Sequence, residues 1–480
     1  MKGKSFFITI NNFYFRLLII SQCGSKYNIF LKKGSLNLTL NKVGKTLIFQ
    51  VNSCKNKSFL RQNKLNLNYF KKSVNNCLLL EYLQITIGKL QGALKGKTMS
   101  QSNSTSAISF GARVRKSPFF NSTIDDGAKS FTIYNHMYMP TAYAGTFEEY
   151  KSLTNDVTMW DVSCERQIEI NGPDAHEFLR LITPRNLDKC EIGHCLYILL
   201  TDQFGGIVND AVLLRLEENK FWVSPGDGDA LLWIQGVSIW SGLNVEVFEP
   251  DVSPLQIGGP KSPKLIDKLF AGAHNDLRFF KARETSLDGI PLVIARTGWS
   301  GEISYELYLR NSDMGDALWQ KVKAAGQEFN IAPVAPNLVR SIEGGMLSYV
   351  SDIRREDCPF TIGLDRLVDT EQPANFIGKD ALKKIRQEGP KNKLVGIELD
   401  GDQLHSAPEN PWPIRIGGKL IGHVSRAIYS PRLNKNIGFA HVESDYSTIG
   451  LEIIVECPKG NMQAKISAFP WIKAERIQRH

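Results

Sequence analysis

From about residue 131 onward the apolar positions follow two distinct periods, and those periods mark the elements. Arg166–Ile170, Cys195–Thr201, Ile207–Leu216 and Lys220–Ser224 read as strands, whereas Pro173–Ile182 and Asp229–Gly236 carry helical spacing. A second stretch, Val252 to about Gly345, repeats the style. Its strands are predicted at Leu255–Ile257, Ile290–Arg296 and Ser304–Leu309, and its helices over Ser262–Phe270 and from Met314 to about Gly326. Strand and helix do not alternate as in a doubly wound sheet, so the class is α+β, with two similar units side by side and a cleft between them. After Gly389-Pro390 the texture changes to short strands with turn residues at Gly401-Asp402, Gly417-Gly418 and Pro458-Lys459-Gly460, which predicts a small β-barrel over 386–480.

Ahead of this region the pattern fades. Residues 99–130 are Ser-rich and predict a flexible lead-in, with order beginning near Phe131. Residues 1–98 contain no Pro and show no sustained period of either kind. They also hold 17 of the 58 basic residues and only one of the 49 acids, Glu81, so their balance is +16 while 99–480 carries −7. The basic net charge therefore belongs to the first hundred residues, and the rest has no electrostatic footprint for nucleic acid. Runs such as Leu17-Leu18-Ile19-Ile20 are too short to span a bilayer, so no membrane partner is expected. A mitochondrial transit peptide would favour Arg, and only Arg16 and Arg61 occur here. The expectation is an upstream extension, non-native or disordered, with the working protein beginning at Met99 and its catalytic region spanning 131–385.

Outside that segment Cys164, Cys190, Cys195, Cys358 and Cys457 are scattered, with no CxxC spacing. That argues against a zinc site or a disulfide framework, and the expected location is a bacterial cytoplasm rather than a mitochondrion.

Three constellations could carry chemistry. Asp202-Gln203-Phe204-Gly205-Gly206-Ile207-Val208-Asn209-Asp210 is a Gly-Gly hairpin entering a strand through a polar pair. Asn209 and Asp210 would either cap that strand or face a ligand, and the residues alone leave both readings open. In Thr297-Gly298-Trp299-Ser300-Gly301-Glu302-Ile303-Ser304-Tyr305-Glu306-Leu307-Tyr308, Ser304, Glu306 and Tyr308 share one strand face, a carboxylate flanked by hydroxyls. A solvated sheet face would look the same. In Tyr134-Asn135-His136-Met137, the lone His among aromatic and Met residues reads as structural rather than as a base.

Together with Trp160-Asp161-Val162-Ser163, Gly259-Pro260, Phe376-Ile377-Gly378, Lys393-Leu394-Val395-Gly396 and Tyr429-Ser430-Pro431, these motifs in this order resemble the aminomethyltransferase family, the T-protein of the glycine cleavage system and its relatives. The likeness runs from Tyr134 nearly to the C-terminus. Tyr134-Asn135-His136-Met137, Cys164-Glu165-Arg166-Gln167, Thr183-Pro184-Arg185-Asn186-Leu187, Val252-Ser253-Pro254-Leu255 and Leu347-Ser348-Tyr349 look more like the dimethylsulfoniopropionate demethylases of that superfamily. So does Asn209-Asp210, where the T-protein has two adjacent Asp.

The resemblance implies a three-domain ring, two α+β folate-binding domains plus a C-terminal β-barrel, and a tetrahydrofolate-dependent one-carbon transferase. Tetrahydrofolate would be the co-substrate, a small-molecule methyl donor the second substrate, and no metal is required. It implies Asp210 and Asn209 as catalytic residues. Tyr197, Ser224, Trp299, Glu306 and Tyr308 would bind folate, Glu306 pairing with the pterin's N–H groups and Trp299 stacking on its ring. A lipoyl carrier protein would be a partner only of an aminomethyltransferase, the alternative reading. A second alternative is a folate-binding iron–sulfur assembly factor, whose Lys-Gly-Cys-Tyr segment is not matched around Cys358-Pro359. Two departures stand out. The family's Arg shortly before Glu343 is replaced by Ser341, with Arg340 one residue earlier, which implies a missing charge near the folate. The loop Ser224-Pro225-Gly226-Asp227-Gly228-Asp229 is also richer in glycine than the demethylases'.

Overall fold

The computed structural model describes residues 110–473 throughout and, before them, the backbone of five strands between Ser5 and Cys54; the chain separates into two units, Met1–Ser106 and Ala107–His480. In the first unit Ser5–Ile10, Phe13–Cys23, Lys26–Leu31, Leu36–Val43 and Thr46–Cys54 form an antiparallel meander, where the sequence showed no sustained alternation. The strands are rich in Phe, Ile and Leu, residues of high strand propensity.

In the second unit one antiparallel sheet runs Cys195–Thr201, Ile207–Glu217, Lys220–Pro225, Ile168–Asn171, Glu246–Phe248. Helices Ala175–Ile182 and Ala230–Ser241 bury Phe178, Leu179, Ile182, Ala230 and Ile234 against one of its faces. The second helix runs past the predicted end at Gly236 and stops at Gly242, which takes the left-handed conformation (φ 70°) that a side chain would resist.

The second sheet is ordered Ala282–Leu287, Ile290–Ala295, Ser304–Leu309, Ser253–Gly258, Thr158–Asp161, Ala332–Pro333, the last pair parallel. Thr158–Asp161 belongs to the first α+β stretch in sequence but pairs with Ser253–Gly258, so the two α+β stretches are interleaved rather than consecutive. All four of its residues are buried, and a fully buried strand needs neighbours on both edges. Helices Ser262–Phe270 and Gly315–Gly326 cover one face, with Phe119, Leu307, Leu309 and Trp319 in the shared core. Each such side chain contributes about 1.5–3 kcal/mol by leaving water. The lead-in expected to stay mobile to residue 130 is packed from Phe110. Its ring meets Phe120, Phe131 and Tyr138 at 5.0–5.2 Å, and Phe119 is wholly buried. A Ser-rich composition did not reveal those aromatic anchors.

The two sheets meet through Cys195, Leu214 and Trp222 of the first and Val293, Ala295 and Tyr308 of the second, one buried cluster. Ser304–Leu309 is therefore buried on both faces rather than solvated on one. After helix Lys379–Glu388, six strands from Asn392 to Ser467 close into an antiparallel barrel around Ile397, Val424, Ala440 and Ile466.

Candidate functional site

The hairpin before Ile207–Glu217 is closed by its own side chain: Asp202 Oδ1 accepts from the amides of Phe204 and Gly206, each at 2.9 Å, and Gly205 takes φ 80°. The register sets Asn209 opposite Leu200 and Asp210 opposite Leu199, so the pair lies inside the strand and does not cap it. Tyr197 Oη donates to Asp210 Oδ2 at 2.7 Å, and Asn209 Nδ2 donates to the Asp227 carbonyl at 2.9 Å. Burial pushes the Asp210 carboxyl up to about 6, against the lowering effect of the Tyr197 hydrogen bond.

Around the strand end Ser224–Asp227 several side chains use their donors and leave acceptors over. Asn135 Nδ2 is spent on the Cys164 and Gly226 carbonyls (3.0 and 2.9 Å), and Gln167 Nε2 on Ser224 Oγ (2.9 Å). Ser224 Oγ in turn donates to Glu165 Oε2 at 3.1 Å. Asn135 Oδ1, Gln167 Oε1, Asn209 Oδ1 and Asp210 Oδ1 remain buried without a hydrogen-bond partner. Four unpaired buried acceptors cost several kcal/mol in total unless a donor-rich or cationic ligand meets them. Gly226 lies against two of them: a Cβ there would sit 2.9 Å from Asp210 Oδ1, 3.5 Å from Asn209 Oδ1 and 3.0 Å from Tyr349 Cβ. The glycine in the unusual loop is therefore a spatial requirement.

Glu306 lies across the packed sheets. Thr297 Oγ1 and Tyr308 Oη both donate to its Oε2, Tyr308 at 2.7 Å. With Oε2 holding two hydrogen bonds, the acceptor capacity left for a ligand is chiefly on Oε1. Burial raises the Glu306 carboxyl, and burial followed by the charge of Glu306 raises Glu165 well above the usual range. Asp210 also raises Glu165, so this one residue lies within electrostatic reach of both the Glu306 and the Asp210 ends. Tyr308 is wholly buried beside Trp222, with ring centroids 5.9 Å apart, and so braces Glu306 from inside.

Trp299 is half-buried, its indole N–H held by the Leu347 carbonyl at 3.0 Å and its amide by Gln256 Oε1 at 2.9 Å. The Arg426 guanidinium lies 5.7 Å from its ring. Arg340 is fully buried and holds the far end of the same turn, donating to Glu302 Oε1 at 2.6 Å and to the Gly301 carbonyl at 2.8 Å. A different arginine, from the barrel, reaches Ser341. Arg426 reaches Ser341 Oγ (3.2 Å) and the Met346 carbonyl (2.7 Å) and pairs with buried Asp352. His136 is exposed and meets Asp229 at 3.0 Å, apart from these groups.

The structure thus joins Tyr197 to Asp210 with Asn209 beside it, ties Ser224 to Glu165 and Gln167, and joins Tyr308 to Glu306, with Trp299 on the turn before the latter's strand. Sequence reasoning assigned no role to Glu165, Gln167, Asn135 or Arg426. Asn135 lay in a constellation read only for its His, Glu165 and Gln167 in a segment whose chemistry went unread, and a buried Arg in a barrel strand gives no local signal. Among the described residues no group of three or more His, Cys, Asp or Glu could hold a metal ion, and no helix is long and apolar enough to cross a membrane.

Comparison with known proteins agrees with this architecture. The GCVT N-terminal domain family matches residues 119–372, and the glycine cleavage T-protein C-terminal barrel domain family matches 392–473. The dimethylsulfoniopropionate demethylase DmdA of Ruegeria pomeroyi is 36% identical over 348 residues, covering 72% of this chain and 94% of that one. An aminomethyltransferase of Symbiobacterium thermophilum is 28% identical, over 75% of this chain and 98% of its own. The crystal structure of the glycine cleavage system aminomethyltransferase T of Bartonella henselae superposes with a TM-score of 0.68 at 23% identity, covering 75% of this chain and 99% of that one, a likeness of fold. With both of its domains matched in order, the chain belongs to the glycine cleavage T-protein family of transferases.

Proposed function

We propose that this transferase moves a methyl group from a sulfonium donor of the dimethylsulfoniopropionate type to N5 of tetrahydrofolate, yielding 5-methyltetrahydrofolate and a thioether. The observation that carries the reading is the set of unpaired, buried acceptors around Asp210, which is complementary to a cation and to nothing anionic. The greater identity to the demethylase than to the aminomethyltransferase supports a sulfonium as that cation.

In this reading Glu306 Oε1 accepts from the pterin's N–H groups, with Thr297 and Tyr308 fixing its carboxylate. Trp299 offers its ring to the flat ligand. Asp210, anchored by Tyr197, stands beside the positive sulfur, with Asn209 holding the loop that closes over it. The N5 lone pair forms the new N5–CH3 bond as the S–CH3 bond breaks with its electron pair staying on sulfur, and N5 then releases its proton to solvent, so the transfer is redox-neutral. The protein's part is alignment, which can supply roughly 7–11 kcal/mol in favourable cases.

Incubation with tetrahydrofolate and a panel of methylated sulfur and nitrogen compounds tests this. The expected product is 5-methyltetrahydrofolate from a sulfonium, with no need for a lipoyl protein. Formation of 5,10-methylenetetrahydrofolate only with a lipoylated carrier would replace the reading by aminomethyl transfer.

A further inference from the structure

Helix Ala230–Ser241 has the composition of a buried helix and the exposure of a surface one. Its sequence, Ala-Leu-Leu-Trp-Ile-Gln-Gly-Val-Ser-Ile-Trp-Ser, has no charged residue, and none follows before Glu246. Ala230 and Ile234 face the core, yet Leu232, Ile239 and Trp240 are 66%, 74% and 89% exposed. At about 100° per residue, Leu232, Gly236, Ile239 and Trp240 fall within an arc of about 100°, a complete second apolar stripe. Leu232, Gly236 and Trp240 of the stripe, with Leu181, Trp233 and Val237, line an open apolar groove of about 550 Å³. A solvated helix normally carries charge on such a stripe, and an exposed Trp beside Ile and Leu without charge is the composition of an interface centre.

We propose that this stripe is the interface of a homodimer, two copies of the helix crossing antiparallel about a twofold axis at Gly236. The ridge Leu232–Gly236–Trp240 is a notch between two knobs. In an antiparallel crossing the notches coincide, and Trp240 of each copy falls on Leu232 of the other, the reciprocal pairing a twofold axis demands. Gly236 has nothing within 4 Å of a would-be Cβ, so the fold of one copy does not need glycine there; close approach of a second helix does. Gly inside a helix is disfavoured relative to Ala, and the dimer gives its presence a reason.

Area and charge argue for a second copy over other occupants. Leu232, Ile239 and Trp240 alone expose roughly 500 Å² of apolar surface per copy, more than half of the roughly 800 Å² per partner of a standard interface. An anionic membrane is disfavoured: from Phe221 to Pro260 the chain has no Lys or Arg but carries Asp227, Asp229, Glu246, Glu249 and Asp251. A charge-free stripe meets its own copy with no like-charge penalty at its centre.

Analytical ultracentrifugation of the full chain over a concentration series, with Trp240→Asp and Gly236→Leu alongside, tests the proposal. The wild type should dimerise reversibly, and each substitution should raise the dissociation constant by about tenfold or more while leaving the circular dichroism spectrum and turnover unchanged. Gly236→Leu is the sharper probe, because it suits an isolated helix and fails only where a second helix comes close. A wild type that stays monomeric at every concentration overturns the proposal, as does a dimer that survives both substitutions. Binding of the monomer to phosphatidylglycerol vesicles through Trp240 overturns it in favour of a membrane surface.

Discussion

Arg426 Nη1 donates to Ser341 Oγ at 3.2 Å, so a guanidinium from the barrel reaches into helix Leu338–Glu343. The same guanidinium pairs with Asp352, which is wholly buried and also accepts from the Ser348 amide and the Ser425 hydroxyl. Barrel, helix and the Trp299 turn are tied by one charge.

Arg426→Ala should destabilise the protein by about 3–5 kcal/mol, because it leaves the Asp352 carboxylate buried without its counter-charge. Asp352→Asn in the same chain should recover part of that loss, a coupling of about 0.5–3 kcal/mol readable by denaturant titration of the four chains. Additive effects would show that the two side chains do not act as a pair.

Glu306→Gln should weaken tetrahydrofolate binding by about 1.5–3 kcal/mol, since the charge is lost and one acceptor becomes a donor. Tyr308→Phe removes only a brace from Oε2 and should cost about 0.5–1.5 kcal/mol of affinity. Calorimetric titration decides both, and unchanged affinity in Glu306→Gln would place it outside the pterin contact.

Asp210 works as an anion, and burial pushes its carboxyl up to about 6, so turnover should fall as the pH drops through about 6. Tyr197→Phe removes a bond that favours the charged form and should move that limb to higher pH. Because the folded-state value lies above the unfolded one, the carboxyl favours the folded state at low pH, and that contribution is lost as pH rises through about 6. Asp210→Asn should therefore lower turnover more than it raises the Michaelis constant, flatten the acid limb, and stabilise the protein at pH 7 by about 1–3 kcal/mol. A mutant that is active but merely binds the donor less well would remove Asp210 from the transfer step.

Gly226→Ala should raise the Michaelis constant for the methyl donor, because its methyl group would press on Asp210 Oδ1 and Tyr349. The folate affinity should be unchanged, Glu306 lying on the other sheet. A loss of folate affinity of equal size would mean that the two ends of the site are not separate.

What the sequence determined by itself is local. Cys195–Thr201, Ser262–Phe270 and Ser304–Leu309 were legible to the residue, because each carries its period within its own length and is bounded by turn residues. The placing of Glu306 between Tyr308 and a glycine-rich turn was legible for the same reason. Tertiary structure alone decided that Thr158–Asp161 enters the second sheet, that Glu165 senses both Glu306 and Asp210, and that Arg426 meets Ser341. Those partners stand tens to more than a hundred residues apart, and no periodicity in either segment encodes the other. They meet because buried strands must find edges and buried charges must find counter-charges, conditions that only the completed packing can satisfy.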